Sequence, residues 1–346
     1  MKHRELWLPA LASLAIVVLM GSAADAQPKP ITSCGTTISA AGSYILNGNL
    51  LSTTTTSAPC IYVFANGVTI DLNGFVISGK GGTSNGIESI GSNLAVSNGT
   101  IIGFGTGIFA PGAGVRISNL TLMYSSKYNN YAMYLGDSAR VSDSIFLNNA
   151  MVAVGVGANA VVTHCIFGAS GFGGLLTRGT GGVLTENSVG ANGNGGVETS
   201  GNSTVEGNAA INNPYFGFAD SGGTIYDTNA AGGSTSAGFQ CGSPVVNGKI
   251  LGNCVFVGNA AYGNHAYGFS DAGGSSFWAN TADSNGVDGF FAEEGTGFNG
   301  NTADSNEFGF EVNCPDNLLG NTAEDNTNTA ITGSSPSCNV HNNLGF

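Results

Sequence analysis

The strongest constraint on this chain is an Asn-led pattern that returns about every 21 residues. Asn208 opens NAAINNPYFGF, Asn259 opens NAAYGNHAYGF, Asn280 opens NTADSNGVDGF and Asn301 opens NTADSNEFGF. Asn187, Asn208 and Asn229 lie 21 apart, as do Asn259, Asn280 and Asn301, and Asn321 follows after 20. One interval, Asn229 to Asn259, is 30 residues. Its excess coincides with the segment bounded by Cys241 and Cys254, so a stapled loop leaving the repeat at about 240–255 accounts for both facts. Upstream, Ser144 and Cys165 hold the same column at intervals of 21 and 22. Earlier still, VTIDLNGFVISG from Val68 and VRISNLTLMYSS from Val115 alternate β-branched and polar residues as strands do.

A period this short excludes helix-pair repeats, which take roughly 33 to 47 residues, and the leucine-rich signature is missing. An all-β solenoid fits: a parallel β-helix of about 12 coils, each bonded to the coils above and below. At ~4.8 Å per coil the rod is on the order of 60 Å long. The recurring Asn then forms a ladder at one corner. A second polar column (Asn192, Asn213, Ser234, Asn264, Asn285, Asn306, Asn326) marks the next corner, and Phe218, Phe239, Phe269, Phe290 and Phe310 stack inside. Cys165 occupies a ladder position and reads as a buried structural thiol. Residues 68–346 are assigned to the β-helix, and residues 27–67 to an N-terminal cap over the open edge.

Composition sets the compartment. Residues 1–26 run from a basic start (Lys2, Arg4) through an apolar stretch to Ala24-Asp25-Ala26, the order of a cleavable signal peptide. The expected product is secreted or periplasmic, with no membrane association after cleavage. The formal charge is −13; losing Lys2, Arg4, Glu5 and Asp25 with the signal leaves it unchanged. Such a surface argues against nucleic acid as a partner. A polyanionic glycan would need a bridging cation or a local basic patch. Seven Cys suit an oxidising compartment. Pairing each with its nearest neighbour gives Cys34–Cys60, Cys241–Cys254 and Cys314–Cys338.

The opening Cys34-Gly35-Thr36-Thr37-Ile38, then Gly42-Ser43-Tyr44-Ile45-Leu46 and Val68-Thr69-Ile70-Asp71-Leu72-Asn73-Gly74, carries a family likeness. It resembles secreted bacterial right-handed parallel β-helix proteins of the pectate-lyase-like superfamily. The Asn-rich coils resemble the carbohydrate-binding and sugar-hydrolase (CASH) and NosD-type repeats. This resemblance implies a right-handed coil and an outward groove on one sheet, framed by loops, in which catalysis takes place. It is specific for fold and not for reaction, since lyases, hydrolases, epimerases and adhesins share it. The polygalacturonase signatures N-T-D, D-D, G-H-D and R-I-K do not occur, nor does an Asp cluster paired with Arg as in pectate lyases.

Three constellations are candidates for chemistry. Asp143, His164 and Glu186 each precede the ladder residue of successive coils, so a His stacks between two carboxylates as an acid/base group; the plainer reading is three exposed turn residues. Glu293, Glu294, Glu307 and Glu311, with Asp288, could do glycosidic acid/base work or hold Ca²⁺; the plainer reading is a solvated acidic patch. Tyr124, Lys127, Tyr128, Tyr131 and Tyr134 cluster where one coil is about four residues longer, and aromatic rings on an exposed loop stack on sugars; the plainer reading is that they cover the barrel wall. No metal or cofactor is expected: His164, His265 and His341 do not pair at ligand spacing. The leading functional reading is an exported β-helix that binds a polysaccharide, with or without processing it. The rival is a non-catalytic structural or adhesive solenoid.

Overall fold

The computed structural model describes residues 27–53, 58–125, 131–242, 252–328, 331–332 and 338–345. The signal segment, most of the loop at 240–255, and Lys127 and Tyr128 lie outside these residues. Every strand pairing within them is parallel, and no helix occurs among them. One sheet stacks fourteen strands, mostly five residues long, from Thr36–Ile38 to Ile331–Thr332. The other joins 26 short strands, generally two per coil on either side of a corner. The result is a parallel β-solenoid of about 13 turns.

Successive coils keep strict register. Phe218 pairs with Phe239, Phe239 with Phe269, Phe269 with Phe290 and Phe290 with Phe310. Their rings stack at 4.8–4.9 Å with planes within 9°. A second inward column, Tyr226, Phe256, Phe277 and Phe298, stacks at 4.5–5.0 Å and meets the first edge-on. Sequence periodicity singles out only the first column; the second sits in the least regular part of the repeat. Together they form one dry core, each buried ring contributing about 2–3 kcal/mol of transfer free energy.

The corners are where the repeat acquires its meaning. Each residue before a ladder position has a left-handed backbone, as in Asp143, His164 and Glu186 at the first corner and Asn148, Asn212 and Ser284 at the second. This turns the chain sharply and aims the next side chain inward. Asn208 Nδ2 donates to Asn229 Oδ1 at 3.0 Å and to the Leu184 carbonyl at 2.8 Å. The same oxygen of Asn229 accepts the Asn208 backbone N–H at 2.9 Å. Identical contacts run through Asn259, Asn280, Asn301 and Asn321. The ladder crosses the 30-residue interval without a break, because Asn229 bonds Asn259 as any other rung does. Asn192, Asn213, Asn264, Asn285 and Asn306 repeat the arrangement at the second corner.

The three expected disulfides are formed: Cys34–Cys60, Cys241–Cys254 and Cys314–Cys338. They fit an exported protein. Cys165 is free and buried in the ladder, its thiol pushed up to about 11 by burial. The strands Lys29–Ile31 and Thr36–Ile38 pair in parallel with the coils that follow them.

Replacing a mid-rod rung shows what the ladder contributes. In Asn280→Ala the backbone N–H of Asn259 and the carbonyl of Phe256 lose their partners in a dry interior. The expected loss is about 2–4 kcal/mol, read as a lower urea midpoint. A loss under about 0.5 kcal/mol would show that the rungs are dispensable.

Candidate functional site

On the five-residue strands the side chains at the first and fourth positions face outward, and the second position is a buried Gly or Ala. Phe109 and Tyr134 occupy the fourth position on neighbouring coils and are paired in register. Their rings stack at 5.5 Å, and Tyr131 packs beside Tyr134 at the same distance. Two coils further, Arg178 follows the strand Gly173–Thr177 and reaches back over both tyrosines, 5.5 and 5.7 Å from the ring centres. Gly155 on the intervening coil leaves room for the Tyr131 ring. A Cβ there would sit 2.7 Å from the Tyr131 ring.

These residues frame an open cleft of about 580 Å³, also lined by Thr83, Asn85, Glu88, Thr106 and Pro111. Asn85 Nδ2 donates to Glu88 at 2.8 Å, which holds the carboxylate at one wall. Among the described residues, no carboxylate lies within ion-pair distance of Arg178. The cleft therefore combines flat aromatic walls, a guanidinium stacked on them and one acidic acceptor. Those are the elements that hold a sugar by its apolar face and its hydroxyls.

Of the five residues expected at this site, Tyr131 and Tyr134 line the cleft. Tyr124 stands at the second corner with a left-handed backbone and its ring more than half exposed, outside the lining. Lys127 and Tyr128 lie outside the described residues. Phe109, Glu88 and Arg178 were not singled out by the sequence. They come from coils whose repeat is degenerate, and only register brings them to the tyrosines.

Asp143, His164 and Glu186 do occupy one column, on the convex first corner. His164 Nε2 pairs with Glu186 Oε2, while Nδ1 is bonded to Thr163 Oγ1 at 3.0 Å. Both partners are more than half exposed, and neither is among the residues that line the cleft. A surface pair of this kind contributes at most about 1 kcal/mol.

The acidic group divides. Glu293 is tied to Asn313 Nδ2 at 2.8 Å. Asp288 instead sits at the first outward position of its strand, on the same sheet as the cleft, only 1% exposed and with its carboxyl against that of Glu311. Burial, and then the nearby Glu311 and Glu307, push its carboxyl up to about 7. Elsewhere Asp220 lies against the sulfurs of Cys241 and Cys254. Those sulfurs are joined in a disulfide and cannot act as the thiolates that ligate metals.

No protein-family model and no curated protein sequence matches this chain. Solved structures do. The A-module of the Azotobacter vinelandii mannuronan C-5 epimerase AlgE4 aligns with a TM-score of 0.61 at 14% identity, over 87% of this chain and 89% of its own. The A-module of AlgE6 from the same organism gives 0.60 at 15%, over 88% and 90%. The Dettilon tailspike protein gives 0.53 at 12%, over 88% of this chain and 62% of its own. The likeness is one of fold. At these identities neither a family nor a residue role transfers.

The Asp288 environment has a measurable cost. Its carboxyl holds a proton more tightly in the folded chain than in the unfolded one, so stability falls as pH rises from about 4 to about 7, with the full penalty above that. Asp288→Asn should exceed wild type in stability by about 1–2 kcal/mol at pH 8, water at the glutamates screening part of the repulsion. The gap should close near pH 4. Equal stabilities at both pH values would contradict this account of the site.

Proposed function

We propose that this exported β-helix binds a polysaccharide along the outward face of its five-residue-strand sheet, with the cleft at Phe109, Tyr131, Tyr134 and Arg178 as the principal subsite. The observation that carries this reading is the stacked aromatic wall under a guanidinium that has no ion-pair partner among the described residues. A solenoid gains nothing in stability from leaving such rings open to water, whereas a pyranose ring covers them and replaces that water. The straight face also suits an extended chain, since neighbouring coils offer similar positions at ~4.8 Å intervals.

Arg178 narrows the class. In a chain of formal charge −13, the guanidinium supplies the local positive charge that an acidic sugar requires. A carboxylate on the sugar would take up its free N–H donors while the rings hold the sugar face. That two epimerase modules named for mannuronan share the fold supports an acidic glycan.

Retention on an array of acidic and neutral polysaccharides tests the reading. Tyr131→Ala with Tyr134→Ala should weaken binding roughly tenfold or more. Arg178→Ala should weaken acidic glycans selectively and flatten their salt dependence. Unchanged retention in both variants would remove the cleft from the account.

A further inference from the structure

A groove on the other sheet of the rod has a different chemistry. Each of the later five-residue strands is followed by a three-residue strand whose first and third side chains point outward, and Trp278 holds the third position of Ser276–Trp278. Phe277 beside it fills the inner column, whereas the indole is more than half exposed. Register sets what surrounds that indole. Ser276, Gly297 and Asn317 follow one another in the first position, and Trp278, Asn299 and Leu319 in the third.

Gly297 is the centre of the groove. Its missing side chain opens a notch with Ser276 on one rim and Asn317 on the other, about 10 Å apart at ~4.8 Å per coil. A Cβ at Gly297 would meet no atom within 4 Å, so the notch is open space. Trp278, Asn299 and Leu319 line its other side, and the groove encloses about 180 Å³, under a third of the 580 Å³ of the cleft. Asn317 Oδ1 accepts from Asn339 Nδ2 at 3.2 Å, which leaves its own NH₂ to donate elsewhere.

No residue that lines the groove is charged, whereas the cleft holds Arg178 and Glu88. An occupant must cover an indole face, exchange hydrogen bonds with a hydroxyl and two amides, and bring no charge that would go unpaired. A neutral pyranose meets all three conditions, with C–H bonds on its face and hydroxyls at its rim. A protein surface fits less well. The column through Trp278 reads Glu206, Asp227, Val257, Trp278, Asn299 and Leu319, so charges and an amide interrupt the apolar face a second chain would need.

We infer that the groove at Trp278, Gly297 and Asn299 is a second saccharide site, selective for an uncharged hexose unit. It lies four coils beyond Arg178 and on the other sheet, so a chain running along the cleft does not pass over it. When the cleft is also filled, which rests on the glycan-binding reading above, one rod holds an acidic chain on one face and a neutral chain on another.

Intrinsic fluorescence tests this site apart from the cleft. The chain has two tryptophans, Trp7 and Trp278, so in full-length Trp7→Phe protein the emission reports on the groove alone. Titration with neutral gluco- and manno-oligosaccharides should give a saturable emission shift with at least one series, and oligouronates should bind at least about tenfold more weakly. Gly297→Val keeps the indole, points its side chain into open space and fills the notch, so the shift should vanish in folded protein. Asn299→Ala should weaken the titration about fivefold. Tyr131→Ala with Tyr134→Ala should leave it unchanged. No shift with any neutral sugar, or a shift that survives Gly297→Val, overturns the inference and leaves the cleft reading intact. A shift that follows protein concentration instead of sugar also overturns it, marking a contact between copies. A shift that persists in protein retaining no acidic glycan upholds this site and overturns the cleft reading alone.

Discussion

The structure depends on one interaction: a side-chain amide at a corner that bonds the coil beneath it. An open coil of short strands has little to hold it, since three-residue strands make few backbone bonds and the turns between them leave peptide groups unpaired. Asn meets both needs, its oxygen accepting from the side chain and backbone N–H of the coil before and its nitrogen reaching a carbonyl in the same wall. The left-handed residue before it sets the angle. Repeated at 21-residue spacing, this amide forces each Phe to lie on the Phe before it. Register, core and outer face all follow from it.

That dependence explains what could be read in advance. Period, ladder columns, the first Phe stack, the stapled insertion and the three disulfides are legible because each is a local pattern that one coil repeats. The cleft was half legible. Tyr131 and Tyr134 stood out as a cluster along the chain, but Arg178 lies more than forty residues later and shows no pattern linking it to them. The lie of the Tyr131 ring beneath it depends on Gly155, a glycine that looks like any other until the coils are stacked. The expectation for Asp143, His164 and Glu186 was sound in geometry, since they do share a column. Their column lies on a convex corner, a fact about curvature that spacing does not carry.

The outward face also shows how a uniform scaffold becomes a specific one. Between Val152 and Ser270 the outward positions hold mainly Gly, Ala, Ser and single apolar residues, with Glu198 and Gln240 as polar exceptions. At two places they depart together: aromatic rings with an Arg near one end, and acids around a sealed Asp near the other. Both departures carry a stability cost, exposed apolar rings in one case and a protonated buried acid in the other. Costs of that kind concentrate where a ligand or a reaction relieves them.

The most direct test of the account is hydrogen exchange at the side-chain amides of the Asn residues, followed by NMR. The ladder requires the NH₂ groups of Asn208, Asn229, Asn259, Asn280 and Asn301 to exchange as slowly as the core backbone amides. Exposed amides such as that of Asn202 would exchange freely. Fast exchange at the five ladder residues in folded protein would show that the corners are not bonded, and the register of the coils from Asn208 to Asn301 would fail with them.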